Sequence, residues 1–147
     1  MRITLLLIQS CLCLNLFTRC SEETTNRPSL QETYTLRNVS GGFAGADVDY
    51  ENGAVTWTFD ADQHELVVSS LIINNGPQSV YLPLQSGTYQ YSTTQSNGKT
   101  YLQIEGHQIY DNGDYGRYIL NTDGSLVIDQ GEGSTGMAAD LFTLYFE

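Results

Sequence analysis

Val55-Thr56-Trp57-Thr58-Phe59-Asp60 alternates apolar and polar side chains without interruption, and a segment with a period of two buries one face as a β-strand. The same period runs through Leu126-Val127-Ile128-Asp129 and from Leu141 to Phe146. No segment carries the 3.6-residue period of a good helix. Fourteen glycines and ten tyrosines point the same way, since tyrosine favours strands and glycine punctuates turns. The chain is expected to fold as an all-β domain.

Eight strands are expected, near residues 34 to 39, 54 to 60, 65 to 73, 88 to 94, 100 to 105, 115 to 120, 125 to 130 and 141 to 147. Paired in sequence they form an antiparallel up-and-down meander, which removes its exposed edges by closing into a barrel. Asp62-Gln63-His64, Ser96-Asn97-Gly98-Lys99 and Asn121-Thr122-Asp123-Gly124 read as tight turns. The other connections, at about 40 to 53, 74 to 87, 106 to 114 and 131 to 140, are long. Alternate connections of a meander lie at one end, so the long loops are expected to gather at one mouth. Loops on a rigid scaffold, and barrel mouths in particular, are where binding resides.

The expected inward set is Leu36, Val55, Trp57, Phe59, Leu66, Val68, Tyr89, Tyr91, Leu102, Ile104, Tyr118, Leu120, Leu126, Ile128, Phe142, Leu144 and Phe146. These bulky side chains imply a packed lower half with at most a shallow pocket beneath the loops, floored by Trp57, Tyr89 and Tyr91; a hollow barrel is the alternative. Phe43, Tyr50, Tyr81, Tyr110 and Tyr115 fall in or beside the long loops. As rigid aromatic faces they are the candidate ligand-binding residues of the mouth. Tyr81 and Leu82, between Pro77 and Pro83, also read as a lid folded inward, because the segment would otherwise expose an apolar patch.

Asp47, Asp49 and Glu51 imitate the start of a calcium loop, but Asn52 stands where the loop needs glycine and Thr58 where it needs the closing glutamate. They are the residues a different calcium site would use; a solvated acidic loop is the plainer reading, and no metal or other cofactor is expected. His64, in a tight turn, and His107, in a long loop, belong to opposite ends. G-x-S-x-G, H-E-x-x-H and a helix-opening G-x-G-x-x-G are absent from the chain, and Asp111 and Asp114 read as a chance pair of loop acids. A non-catalytic protein is expected.

Arg2, the apolar run from Ile3 to Phe17 and the switch to Ser21-Glu22-Glu23 after Cys20 describe an export signal shorter than a membrane span. A signal ending on cysteine resembles that of bacterial lipoproteins, which implies acylation of Cys20, although Arg19 stands where those signals place a small residue. The expected organisation is a signal over 1–19, lipidated Cys20 with a polar tether to residue 31, and one domain over 32–147. Ser21-Glu22-Glu23 also resembles an acidic surface-export signal of lipoproteins from Bacteroidetes. Loss of the signal removes two of six basic residues and leaves four against seventeen acids, a net charge of −13. Such a field repels phosphate backbones and anionic headgroups, so no nucleic acid partner is expected. All three cysteines, Cys11, Cys13 and Cys20, lie in or at the end of the signal, so the domain is held without disulfides.

Asn38 to Gly45, Val55 to Phe59, Ser86-Gly87-Thr88-Tyr89 and Leu126 to Gln130 together resemble small lipocalin-like lipoproteins of the Bacteroidetes type. The resemblance implies a lipocalin-like (calycin-like) barrel attached to the cell envelope as an outer-membrane lipoprotein, on either the periplasmic or the surface-exposed side of that membrane. The expected function is to hold a small apolar or amphipathic ligand at the loop mouth, as a monomer. The alternative is a protein-binding or glycan-binding module, an inhibitor or an accessory subunit of an envelope complex, with a filled core.

Overall fold

The computed structural model describes residues 33–73 and 76–147; the expected signal, Cys20 and the tether lie outside the described residues. Antiparallel hydrogen bonding carries the chain from β1 (Thr33–Gly41) through β2 (Ala46–Asp49), β3 (Val55–Asp60) and β4 (Glu65–Ser70). A single helical turn, α1 (Pro77–Val80), precedes β5 (Gly87–Ser96), β6 (Lys99–Ile104), β7 (Asp114–Leu120) and β8 (Leu126–Asp129). The short β9 (Glu132–Gly133) and β10 (Gly136–Met137) pair with each other, and β11 (Phe142–Phe146) ends the order. β2 runs beside the upper half of β1 and β3 beside its lower half, so the two share one lane. Nine strands thus make eight lanes, and pairing of β11 with both β8 and β1 closes them into a barrel.

The three tight turns lie at one end, where backbone strain falls on residues that tolerate it. Asn97 and Gly98 both have positive φ, 52° and 73°, the combination a two-residue hairpin of this twist requires. At the 61–64 turn the Asp60 carboxylate accepts from the backbone N–H groups of Asp62 and Gln63, each at 3.0 Å.

All of the expected inward residues belong to the core or pack against it. Trp57 is fully enclosed, its ring 5.0 Å from Phe146, 6.2 Å from Tyr115 and 6.3 Å from Phe59. Tyr91 stands edge-on to Phe59 at 5.1 Å, whereas Tyr89, opposite the enclosed Leu66, packs against the core near the loop end, where it meets His107 edge-on and donates to the Gln85 carbonyl. None of the three lines the cleft beneath the loops, and the lower barrel is packed with rings.

The loop end differs from expectation in three respects. The 40–53 connection contains β2, because Ala46 to Asp49 extends the β1 ladder. The segment after β4 contains α1 although no helical period marks it; Pro77 at the start of the turn sets its φ without losing a needed donor. The 131–140 connection does not stand over the mouth. Its β9–β10 ribbon lies along the outer wall, where Glu132 forms ion pairs with Lys99 and with Arg117, the latter at 2.9 Å, and the ring of Tyr101 is buried beneath it.

With no disulfide in the domain, the ring cluster bears much of its stability. Trp57→Ala should cost about 3 to 5 kcal/mol in chemical denaturation, the range for removing a large enclosed aromatic.

Candidate functional site

The mouth is partly covered by the segment that contains α1. Tyr50, which follows β2, is buried and donates its hydroxyl to the Gln78 carbonyl at 3.0 Å, while Gln78 Nε2 donates back to the Asp49 carbonyl at 2.8 Å. Burial pushes the Tyr50 phenol up to about 12, so it stays a neutral donor. Anchored there, the segment continues across the opening: Tyr81 meets Phe142 edge-on at 5.7 Å, Leu82 packs on the core and Leu84 is buried. A cleft of about 240 Å³ remains between the lid residues Val80, Tyr81, Leu82 and Pro83 and the β1–β11 seam, represented by Val39, Phe142 and Leu144.

Gln130 completes the cleft wall and is only 7% exposed. Both of its backbone groups are engaged: its N–H donates to the Phe142 carbonyl at 2.9 Å, and its carbonyl accepts from the Tyr110 hydroxyl at 2.8 Å. Tyr110 can lie there because position 133 is glycine; a Cβ would stand 2.8 Å from its ring. Gly116 on β7 permits an equally close approach from the other side, since a Cβ would be 2.7 Å from the Asp129 carbonyl oxygen and 3.0 Å from the Gln130 Cα. Only the carboxamide of Gln130 is left to act in the cleft.

Behind it lies Tyr115, 3% exposed. Opposite Leu102 and Gln103, β7 carries one extra residue between Gly116 and Asp114, and this bulge turns the Tyr115 ring inward. Its hydroxyl faces the Gln130 side chain, yet neither it nor Trp57 Nε1 has a partner in hydrogen-bond geometry. Desolvation holds the Tyr115 phenol well above its ordinary value, so it is a neutral donor at any physiological pH.

Outside the barrel, the bulge buries Asp114. Its Oδ2 accepts from the Ser134 N–H at 2.7 Å, the Ser134 hydroxyl at 2.6 Å and Asn112 Nδ2 at 2.8 Å, and its Oδ1 accepts from Gln103 Nε2 at 3.1 Å. Burial alone would raise its pKa, but the donors from Ser134, Asn112 and Gln103 outweigh it and hold the carboxyl below its ordinary value. This knot ties the 105–113 loop to the outer ribbon and fixes the chain on both sides of Gln130.

The expected mouth aromatics divide. Phe43 is 92% exposed and Tyr81 lines the cleft. The exposure expected of Tyr50 and Tyr115 is not found: Tyr50 is the lid anchor and Tyr115 an interior ring. Tyr110 is half-buried and clamps loops together. Asp47 and Asp49 share the Asn38 amide, at 2.8 and 3.0 Å, and among the described residues no three acidic, histidine or cysteine side chains come together as a metal-holding group. His64 and His107 lie at opposite ends, as expected from the topology.

Gln130 went unmarked in the sequence although its signal is present there: it continues the Leu126, Ile128 phase and so faces inward. No family model, curated protein or solved structure matches the chain.

Asp114→Asn should place an amide N–H against one of these donors and cost about 2 kcal/mol near neutral pH. A depressed folded-state pKa contributes stability that is present above the unfolded value, about 3.9, and is lost as pH falls through the folded value. The gap between wild type and variant should therefore be constant above about pH 5 and close in more acid solution; denaturation midpoints measured across that range check it.

Proposed function

We propose that this protein is a non-catalytic, lipid-anchored binding protein that takes a small apolar or amphipathic ligand into the cleft between the lid and the β1–β11 seam. The observation that carries this reading is the composition of the cleft: six lining side chains are aliphatic, prolyl or phenyl, joined by the ring of Tyr81 and the carboxamide of Gln130. Apolar walls with a few placed polar groups are the usual make-up of a small-molecule site. Because the lower barrel is filled with rings, the ligand belongs under the lid rather than deep in a calyx. A volume near 240 Å³ holds about eight water-sized groups, which suits a short chain or one end of a longer molecule.

Cys20 is the proposed attachment point, and the outer membrane the proposed location. The described domain begins at Thr33, beside the 61–64 turn, so a tether joined there leaves the lid pointing away from the lipid.

A second reading is supported by Phe43, Leu71, Ile73 and Val80, which are exposed on the mouth connections. Exposed apolar side chains at loop tips suit a protein partner that covers the lid, and that partner would be an envelope component.

Native mass spectrometry of protein purified from its own envelope should detect a small bound molecule. Leu82→Trp, which fills the cleft from the lid, should abolish its retention at a cost of about 1 to 3 kcal/mol that leaves the domain folded; a variant that keeps the molecule places it elsewhere. Cys20→Ala should move the protein from the membrane to the soluble fraction.

A further inference from the structure

We propose that the cleft selects a neutral amphiphile whose head group presents a hydrogen-bond donor beside an acceptor, as a primary carboxamide or an un-ionised carboxylic acid does, and that Gln130 reads that head. This rests on the cleft reading above and adds the ligand's chemistry to it.

Three observations support the inference. First, the lining offers no charge: none of its residues is Lys, Arg, His, Asp or Glu. An ionised head would lose its hydration there with no counter-charge to replace it, which is far more costly than burying a paired neutral group. The domain's acid excess adds to the penalty for an anion.

Second, Gln130 lines the apolar space, and the backbone that carries its carboxamide is fixed by bonds to Phe142 and Tyr110. A carboxamide carries two donors and a carbonyl with two lone pairs. Oε1 and Nε2 together therefore match a head that places a donor and an acceptor side by side, forming a closed pair of hydrogen bonds.

Third, the Tyr115 hydroxyl is buried and faces the same side chain from the interior, but its O–H makes no hydrogen bond in good geometry. A buried donor left unpaired costs more than its hydrogen bond gains when made. With a ligand seated and the carboxamide turned so that Oε1 rather than Nε2 lies toward Tyr115, Oε1 accepts from the ligand on one lone pair and from the Tyr115 O–H on the other, while Nε2 donates to the ligand carbonyl. The orphan donor is then satisfied as the site fills.

The probes are hexanamide, hexanoate and hexylammonium, which share one chain and differ only in the head, titrated into the whole domain and followed by NMR at the Val39, Leu82 and Leu144 methyls and the Gln130 side-chain amide. Hexanamide should bind about tenfold more tightly than either ion at neutral pH, the value of one net neutral hydrogen bond. Hexanoate should gain affinity as the pH falls toward about 4.5 and its carboxyl protonates. Gln130→Leu, which keeps the volume, should erase the preference for hexanamide. Tyr115→Phe, which removes an orphan hydroxyl and so should fold at least as stably, should weaken hexanamide severalfold and leave the ions unchanged.

If the three probes bind equally, or if Gln130→Leu keeps the preference, head-group selection by Gln130 is wrong while the cleft stands as a binding site. If none of them perturbs the cleft residues in the folded protein, the cleft reading fails along with it.

Discussion

The antiparallel ladder between β1 and β11 turns an eight-lane sheet into a cylinder, and the rest of the geometry relies on it. The ladder runs from Leu36 opposite Phe146 to Gly41 opposite Phe142, and Thr35 and Glu147 extend it with reciprocal backbone bonds of 2.7 and 3.0 Å. Without this seam β11 and β1 would be edges with unpaired backbone groups exposed to other chains. The seam also supplies Val39, Phe142 and Leu144 to the cleft. The exposed Arg37–Glu147 ion pair beside it contributes little by comparison.

What could be read from the chain was the part that follows a period of two without error. Trp57, Leu66, Leu102, Ile128 and Leu144 all face inward as alternation requires, and two of the three turns fall where Asn97-Gly98 and Asp123-Gly124 place them. The misplaced residues cluster where the period slips. A bulge in β1 puts two steps on that strand against one on β11 between Leu36 and Asn38, so Val39 rather than Asn38 points inward. The β7 bulge does the same for Tyr115 and leaves Asp114 buried on the outer side. Bulges are set by pairing between distant strands, so no local pattern announces them. Tyr50 illustrates a different difficulty: it was legible as a loop aromatic, but only the tertiary approach of Gln78 makes it an anchor.

These slips have one location. Both lie in the upper half of the barrel, where a regular ladder gives way to the mouth, and each brings a residue into contact with the space beneath the lid or the polar groups behind it. Regular alternation builds the ring-filled base, and the departures shape the opening. The polar side chains tied to Asp114 and Glu132 hold the outer ribbon in place and so keep the Gln130 backbone fixed, which makes the acids of the loop end structural parts of the site.

Trp57 is the chain's one tryptophan, and its indole N–H lies in a ring-lined interior without a protein partner. Such an environment gives short-wavelength emission, because no dipole relaxes around the excited ring. Tyr115 separates that ring from Gln130, so a polar head arriving at the proposed site would alter the field at the indole, giving an optical gauge of occupancy without any label.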